Sequence, residues 1–243
     1  YLPVCIPHSR YELPDNGIYT YKKGWTEKQK KYAAMVTRLD ETVGRIVQRL
    51  EALGIANNTY IFFTSDNGPH REGGNNPDFQ NSNGPLNGIK RALTDGGIRV
   101  PMIARWPGHI KAGSRSAHIG AFWDIMPTLA ELAGVKSKVP EDTDGISIAP
   151  TLTGLKKQEE HENLFWVFFE QKGARALRKG KWKAVQQPIH SAIRLYDLSS
   201  DIGETTNLAA IHPDLVKQLE SEMDSQYVAV DRWQFPKPKK AKK

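Results

Sequence analysis

A single cysteine among 243 residues leaves no internal disulfide possible, so the fold must rest on core packing, hydrogen bonds, ion pairs or bound ions. Long apolar runs are missing too. None approaches the ~20 residues of a membrane span, which removes a transmembrane segment from the possible readings. The chain opens on Tyr1-Leu2-Pro3-Val4 with no initiator methionine and no charged leader, so the sequence itself carries no export signal. Acidic residues are outnumbered, 27 against 34 basic, and the formal charge of +7 invites a polyanion partner. Yet Lys237, Lys239, Lys240, Lys242 and Lys243 crowd into a Pro-containing tail. Without them the balance is nearly neutral, so nucleic acid is not an expected partner, and a non-enzymatic polyanion-binding role rests on that tail alone.

What is present divides the chain in two. Up to residue 150 the pattern is that of an α/β unit. Thr26 to Leu53 carries apolar residues at Tyr32, Met35, Val36, Leu39, Val43, Ile46, Val47, Leu50 and Leu53, the spacing of one buried helix face. Thr26 with Gln29 forms a capping box and Gly54 a stop. Tyr60 to Thr64 and Val100 to Ala104 read as strands, and Ile125 to Ala133 as a helix capped by Asp124. From 151 to 232 the character changes. Leu164 to Glu170, Ala174 to Val185 and Ile193 to Leu198 read as strands with turn signals at Lys179-Gly180 and Ser199-Ser200-Asp201. His212 to Val230 reads as a helix with Leu215, Leu219 and Met223 on one face, and 233–243 as a basic mobile tail.

The most informative stretch runs from Tyr60 to Gly108. Its first strand ends in Ser65-Asp66-Asn67-Gly68, and Lys90 follows shortly before Asp95-Gly96-Gly97 and the second strand. A carboxylate beside a carboxamide offers two hard oxygens, which suits Ca²⁺, with Mg²⁺ the less favoured choice, rather than zinc. Ligands of open α/β sheets gather at carboxyl ends of strands, where Asp66 and Asn67 emerge. The same tripeptide is also a common turn, and a lone lysine is usually a solvated one. Taken alone, these residues leave both readings open.

The block as a whole resembles the sulfatases of the alkaline-phosphatase-like superfamily. There a strand ending in S-D-N-G is followed by G-x-K-x-x-L-x-E-G-G-I-R-V-P. Here the second segment runs from Gly88-Ile89-Lys90 through Leu93 to Asp95-Gly96-Gly97-Ile98-Arg99-Val100-Pro101, with Asp95 where glutamate is usual. Further landmarks occur in order: Tyr32 to Arg45, then Asp124-Ile125-Met126-Pro127-Thr128-Leu129, Asp144-Gly145, Leu195-Tyr196-Asp197-Leu198 and Gly203 to Leu208. The resemblance implies an α/β fold with an alkaline-phosphatase-like sheet flanked by helices, and a smaller C-terminal α+β subdomain of antiparallel sheet plus terminal helix.

It also implies roles. Asp66 and Asn67 correspond to metal ligands, Lys90 to a lysine on the sulfate and leaving oxygens, and His8, in a Pro-His pair that ends a strand in the family, to a leaving-group histidine. Imidazole suits proton donation near neutrality, although a lone histidine after proline equally bonds to backbone. His70 and Arg71 follow the metal pair and are candidate substrate contacts or ordinary loop residues. The C-x-P-x-R segment, whose Cys or Ser becomes formylglycine, and two aspartate ligands are expected in an N-terminal part outside this sequence. Cys5-Ile6-Pro7-His8-Ser9-Arg10 is one residue too long for that motif, so Cys5 is expected to be a small buried hydrophobe. The implied activity is metal-dependent hydrolysis of a sulfate ester, on a sulfated small molecule or carbohydrate, in a periplasmic, secreted or lysosome-like location. A phosphomonoesterase or phosphodiesterase of the same superfamily is the alternative.

Overall fold

The computed structural model describes residues 1–155 and 157–237. Lys239, Lys240, Lys242 and Lys243 of the basic tail lie outside them. The first half is built on α1 (Glu27–Ala52) and a two-stranded antiparallel pair, β1 (Ile61–Thr64) with β2 (Met102–Arg105), in register Thr64 to Met102. Between the strands in sequence lies the four-residue α2 (Asp95–Ile98). Because the pair is antiparallel, the end of β1 and the approach to β2 meet at one end of the sheet. There α2 sits against the loop that leaves β1. α3 (Ile125–Leu132) and α4 (Ala149–Thr153) complete this half.

The capping box forms: Gln29 N–H donates to Thr26 Oγ1 at 3.3 Å and Thr26 N–H to Gln29 Oε1 at 2.8 Å. Gly54 leaves the helix in the left-handed region, at φ +70°. The expected buried face of α1 is only partly realised. Tyr32, Ala33 and Met35 are buried, whereas Val36, Ile46 and Leu53 are exposed, because the main neighbours of α1 are two short 3-10 turns, Gly17–Tyr19 and Ala56–Asn58. Asp124 also departs from expectation. Its side chain does not cap α3; it accepts from Ala121 N–H at 2.7 Å and Ile146 N–H at 3.0 Å, and pairs with His161 at 2.8 Å. It is a buried tie between three segments.

At the other end, Val4 to Pro7 forms no strand; Cys5 to His8 is a turn closed by His8 N–H on the Cys5 carbonyl at 2.8 Å. Cys5 is exposed, not buried, since a turn with no sheet beneath it has no core to enter.

The second half is a four-stranded antiparallel sheet in sequential order, β3 (Leu164–Phe168), β4 (Ala174–Lys179), β5 (Trp182–Gln186) and β6 (Arg194–Asp197). Alternation gives it two different faces. Leu177, Ala184 and Leu195 pack on Leu219 and Met223 of α5 (Pro213–Gln226). Ala174, Ala176, Val185 and Tyr196 pack the other way, on Leu93 of the first half. The helix stops at Gln226, four residues before the expected Val230. Tyr227 turns extended and stacks on Phe235, which also meets Phe169, at centroid distances of 5.2 and 5.1 Å. Residues 233–237 are therefore docked rather than a free tail: Trp233 bridges Val230, and the Pro236 carbonyl lies 2.7 Å from His190 Nε2.

The halves are joined by charge as well as by Leu93. Lys183, fully buried on β5, pairs with Asp95 at the start of α2 and lies 3.1 Å from Glu204. Glu204 in turn accepts from Asp95 N–H at 2.6 Å. Burial pushes the Glu204 carboxyl above its usual range, with Lys183 pulling the other way. Lys183→Ala leaves two buried carboxylates without their cation and is expected to cost about 3–5 kcal/mol, measured by urea unfolding. A loss under ~1 kcal/mol, the size expected of an exposed pair, would show that the three groups do not share a dry site.

Candidate active site

The aromatic and β-branched run of β1 delivers Ser65-Asp66-Asn67-Gly68 at the sheet end, where Ser65 Oγ donates to the Asn67 carbonyl at 3.1 Å. Gly68 N–H then donates to the Gly97 carbonyl at 2.9 Å. A Cβ on Gly68 would stand 1.9 Å from the Gly96 oxygen, so this backbone approach requires glycine. Lys90 N–H donates to the Pro69 carbonyl at 2.8 Å, and Gly96 N–H to that of Asn87 at 2.6 Å. The loop bearing Asp66 and Asn67 and the loop bearing Lys90 are thus laced together by main chain.

Asp66 is exposed and Asn67 half-buried. Neither side chain has a hydrogen-bond or ion-pair partner among the described residues, so three side-chain oxygens are uncommitted there. As a donor set they fit a hard cation, yet Ca²⁺ takes six to eight oxygens. Among the described residues no three His, Cys, Asp or Glu side chains converge to hold a metal.

Lys90 and His8 do come together, across 82 positions of sequence: Nζ lies 3.2 Å from His8 Nε2. An ammonium has no lone pair, so the histidine must accept. His8 Nδ1 lies 2.8 Å from the Ser9 carbonyl, and that bond assigns the proton to Nδ1 and leaves Nε2 free to accept. His70 is buried, stacks on the His8 ring at 5.0 Å and 27°, and has Nε2 3.4 Å from the Pro7 carbonyl. Arg71 is more exposed and pairs with Asp78 at 2.7 Å.

One residue that sequence reasoning passed over sits at the centre. Glu72 lies 2.9 Å from His70 Nδ1, close enough for an ion pair though poorly aligned for a hydrogen bond. It is 3.4 Å from Lys90 Nζ and accepts from Arg91. The Arg91 hydrogen bond, helped by Lys90, holds its carboxyl down at about 2. Only its place two residues after His70 marked it in sequence. Arg91 is itself held at φ +76°, and Gln187 clamps its surroundings, donating to the Arg91 carbonyl at 2.8 Å and accepting from Leu93 N–H at 3.1 Å. A cavity of about 630 Å³ opens here, walled by His70, Arg71, Glu72, Lys90 and Arg91 on one side and by Gln171, Gln187 and Arg194 from the C-terminal sheet on the other. Asp66, Asn67 and His8 do not line it.

Uncommitted hard oxygens, a lysine bonded to a histidine, and a cavity whose charged lining is Arg71, Lys90, Arg91 and Arg194 against the single carboxylate of Glu72 suit an anionic ligand. Residues 6–135 match the family model described as Sulfatase, and residues 89–229 match that for N-sulphoglucosamine sulphohydrolase, C-terminal. The chain belongs to the sulfatase family.

Among relatives, N-acetylgalactosamine-6-sulfatase of Mus musculus is 37% identical over 159 residues, covering 65% of this chain and 29% of that protein. An uncharacterised sulfatase of Schizosaccharomyces pombe is 31% identical over 269 residues, covering 88% and 47%. Of solved structures, Ps i-CgsB in complex with k-i-k-neocarrahexaose superposes at TM-score 0.79 with 30% identity, covering 90% of this chain and 48% of that one. A structure holding its substrate D-glucosamine-2-N,6-O-disulfate gives 0.66 at 27% identity, covering 81% and 40%. The chain spans between about a quarter and a half of the length of these proteins.

Glu72 supplies a test of the cluster. A carboxyl held at about 2 in the fold and near 4.5 when unfolded contributes stability that is complete above the unfolded value and is lost as pH falls toward the folded one. Glu72→Gln should therefore lower the thermal midpoint at neutral pH, and the gap from wild type should close between about pH 4.5 and 2. A gap that stays constant across that window would show that the charge of Glu72 is not what the site uses.

Proposed function

We propose that the protein is a sulfuric ester hydrolase acting on a sulfated carbohydrate or aryl sulfate. The observation that carries this reading is the Lys90–His8 contact, made beside the cavity and backbone-laced to Asp66 and Asn67, in a chain whose two family matches together run from residue 6 to residue 229. The relatives include steryl-sulfatase of Rattus norvegicus and arylsulfatase A of Bos taurus.

In this proposal Lys90 exchanges its long contact with Glu72 for a sulfate oxygen, a charge-assisted bond that strengthens as negative charge moves outward during S–O cleavage. The departing oxygen needs a proton. Lys90 carries one at Nζ, with His8 Nε2 accepting from it and so holding the ammonium in place. His70, stacked against His8 and held between Pro7 and Glu72, keeps the imidazole from swinging away. Asp66 and Asn67 would hold Ca²⁺, with other ligands drawn from outside these residues; when bound, the ion supplies Lewis-acid polarisation of sulfate oxygens. The nucleophile, a formylglycine in the reading adopted here, likewise comes from outside this sequence and not from Cys5. An extracytoplasmic location belongs to the same reading; among the described residues no helix is long and apolar enough to cross a membrane.

In the whole protein, Lys90→Ala should slow 4-nitrophenyl sulfate turnover roughly 100- to 1,000-fold, the usual effect of removing one donor from a developing anion. Asp66→Ala should abolish the response to added Ca²⁺, while Cys5→Ser and deletion of the residues after Pro236 should leave turnover intact. Near-normal rates for Lys90→Ala, or hydrolysis of 4-nitrophenyl phosphate in preference to the sulfate, would sink the assignment, the latter in favour of the phosphoesterase reading.

A further inference from the structure

The cavity wall contributed by the C-terminal sheet has a charge that no carboxylate among the described residues answers. β6 alternates, so Leu195 faces α5 while Arg194 and Tyr196 face the first half. Arg194 is half-buried and lines the cavity. Each other cation lining the cavity has a carboxylate: Arg71 has Asp78, Lys90 has Glu72, and Arg91 has Glu72 and Glu170. Arg194 has none within ion-pair reach among the described residues. Its side chain bonds instead to the buried Tyr196, two positions along the strand. Of the two neighbouring amides, Gln187 is spent at both ends on Arg91 and Leu93. Gln171 is exposed, with no side-chain partner among the described residues, and sits at φ +60° in the turn between β3 and β4. The left-handed region is unfavourable for a glutamine, and here that conformation accompanies an amide at the cavity rim.

A guanidinium drawn partly out of water and left without a counter-charge is an unfavourable arrangement, and its planar fork matches carboxylate or sulfate oxygens two at a time. The cavity, at about 630 Å³, is in the size range of sites that enclose a whole small-molecule ligand rather than a lone anion. We infer that Arg194 binds a second anionic group of the substrate, a carboxylate or a further sulfate on the sugar, while Lys90 holds the group that is cleaved. Gln171 offers its amide to hydroxyls between the two. The inference rests on the sulfate-ester reading of the Lys90 site and adds to it a preference for doubly anionic saccharides.

The test uses the whole protein and Arg194→Gln, which removes the charge and keeps an N–H donor on a shorter side chain. The probes are 4-nitrophenyl sulfate, with one anionic group, glucosamine-2-N,6-O-disulfate, with two sulfates, and a 6-O-sulfated disaccharide containing a uronate. Each saccharide is measured as a substrate or, where it is not cleaved, as an inhibitor of 4-nitrophenyl sulfate turnover. Arg194→Gln should raise KM or the inhibition constant about tenfold or more for at least one saccharide, and leave 4-nitrophenyl sulfate within about twofold. Which saccharide is affected distinguishes sulfate from carboxylate. An equal change for all three probes, or none for any, overturns the inference. If wild type cleaves no sulfate ester, the functional reading fails separately, and calorimetric titration of the two saccharides then decides: binding that Arg194→Gln abolishes upholds the anion site, and binding that is absent or unchanged removes it. Far-UV circular dichroism and the thermal midpoint check the fold, with Arg194→Met as the replacement should the glutamine variant unfold.

Discussion

The position of nearly everything that matters in this molecule traces back to one buried cation. Lys183 rises from the centre of the C-terminal sheet and meets Asp95 and Glu204 where none of the three is open to water. Ion pairs of this kind are poor evidence of net stability, since desolvation can cancel the attraction. What they do well is penalise every other arrangement, because any shift that parts them strands a charge. Asp95 opens α2, and α2 presents the Gly96-Gly97 backbone on which Gly68 rests. A charge on the second sheet therefore sets where the Asp66-Asn67 loop can lie.

Gln187, just past the end of β5, extends the same logic. By bonding the Arg91 carbonyl and the Leu93 N–H with one amide, it treats the segment after Lys90 much as a neighbouring strand would. The C-terminal sheet thus acts on the site in three ways: it orders the Lys90 loop, anchors α2 and furnishes one wall of the cavity. Both family matches include residues 89–135, and the contacts made by Arg91, Leu93 and Asp95 give a physical reason why that stretch belongs with either half.

Much of this was legible in local pattern. Thr26 and Gln29 announced the start of α1 and Gly54 its end, because capping is chemistry between neighbours. The sheet strands stood out by composition and by the turn at Lys179-Gly180. The S-D-N-G and Lys90 segments stood out by resemblance, and the structure brings Lys90 to His8. The misreadings share a cause, in that they concern what a segment packs against. Periodicity marked Val36 and Ile46 as core, but no described element covers them. Asp124 preceded a helix and so resembled a cap, whereas its partners Ile146 and His161 lie 22 and 37 residues downstream. Phe235 sat among lysines and prolines, and nothing nearby in sequence indicated Tyr227 or Phe169 as its seat. Lys183 and Arg194 carry no sequence signal, and Glu72 none beyond its place two residues after His70, since a charged residue in a loop or strand acquires its meaning only from the groups it finds.

The lacing of the site through distant partners also bears on the order in which the chain can be assembled. His8 reaches Lys90 across 82 positions, and Asp95 reaches Lys183 across 88 and Glu204 across 109. Contacts of such range are the slow ones in folding, because chain entropy is lost before any of them is gained. During synthesis from the N-terminus, α1 and the β1–β2 pair can form while the ribosome is still short of β5, but Asp95 has no cation until Lys183 emerges and its amide no acceptor until Glu204 does. The Lys90 loop is thus completed only by residues made long after it, and a protein interrupted before Glu204 would carry His8, Asp66, Asn67 and Lys90 without the buried contacts that hold Asp95 in place.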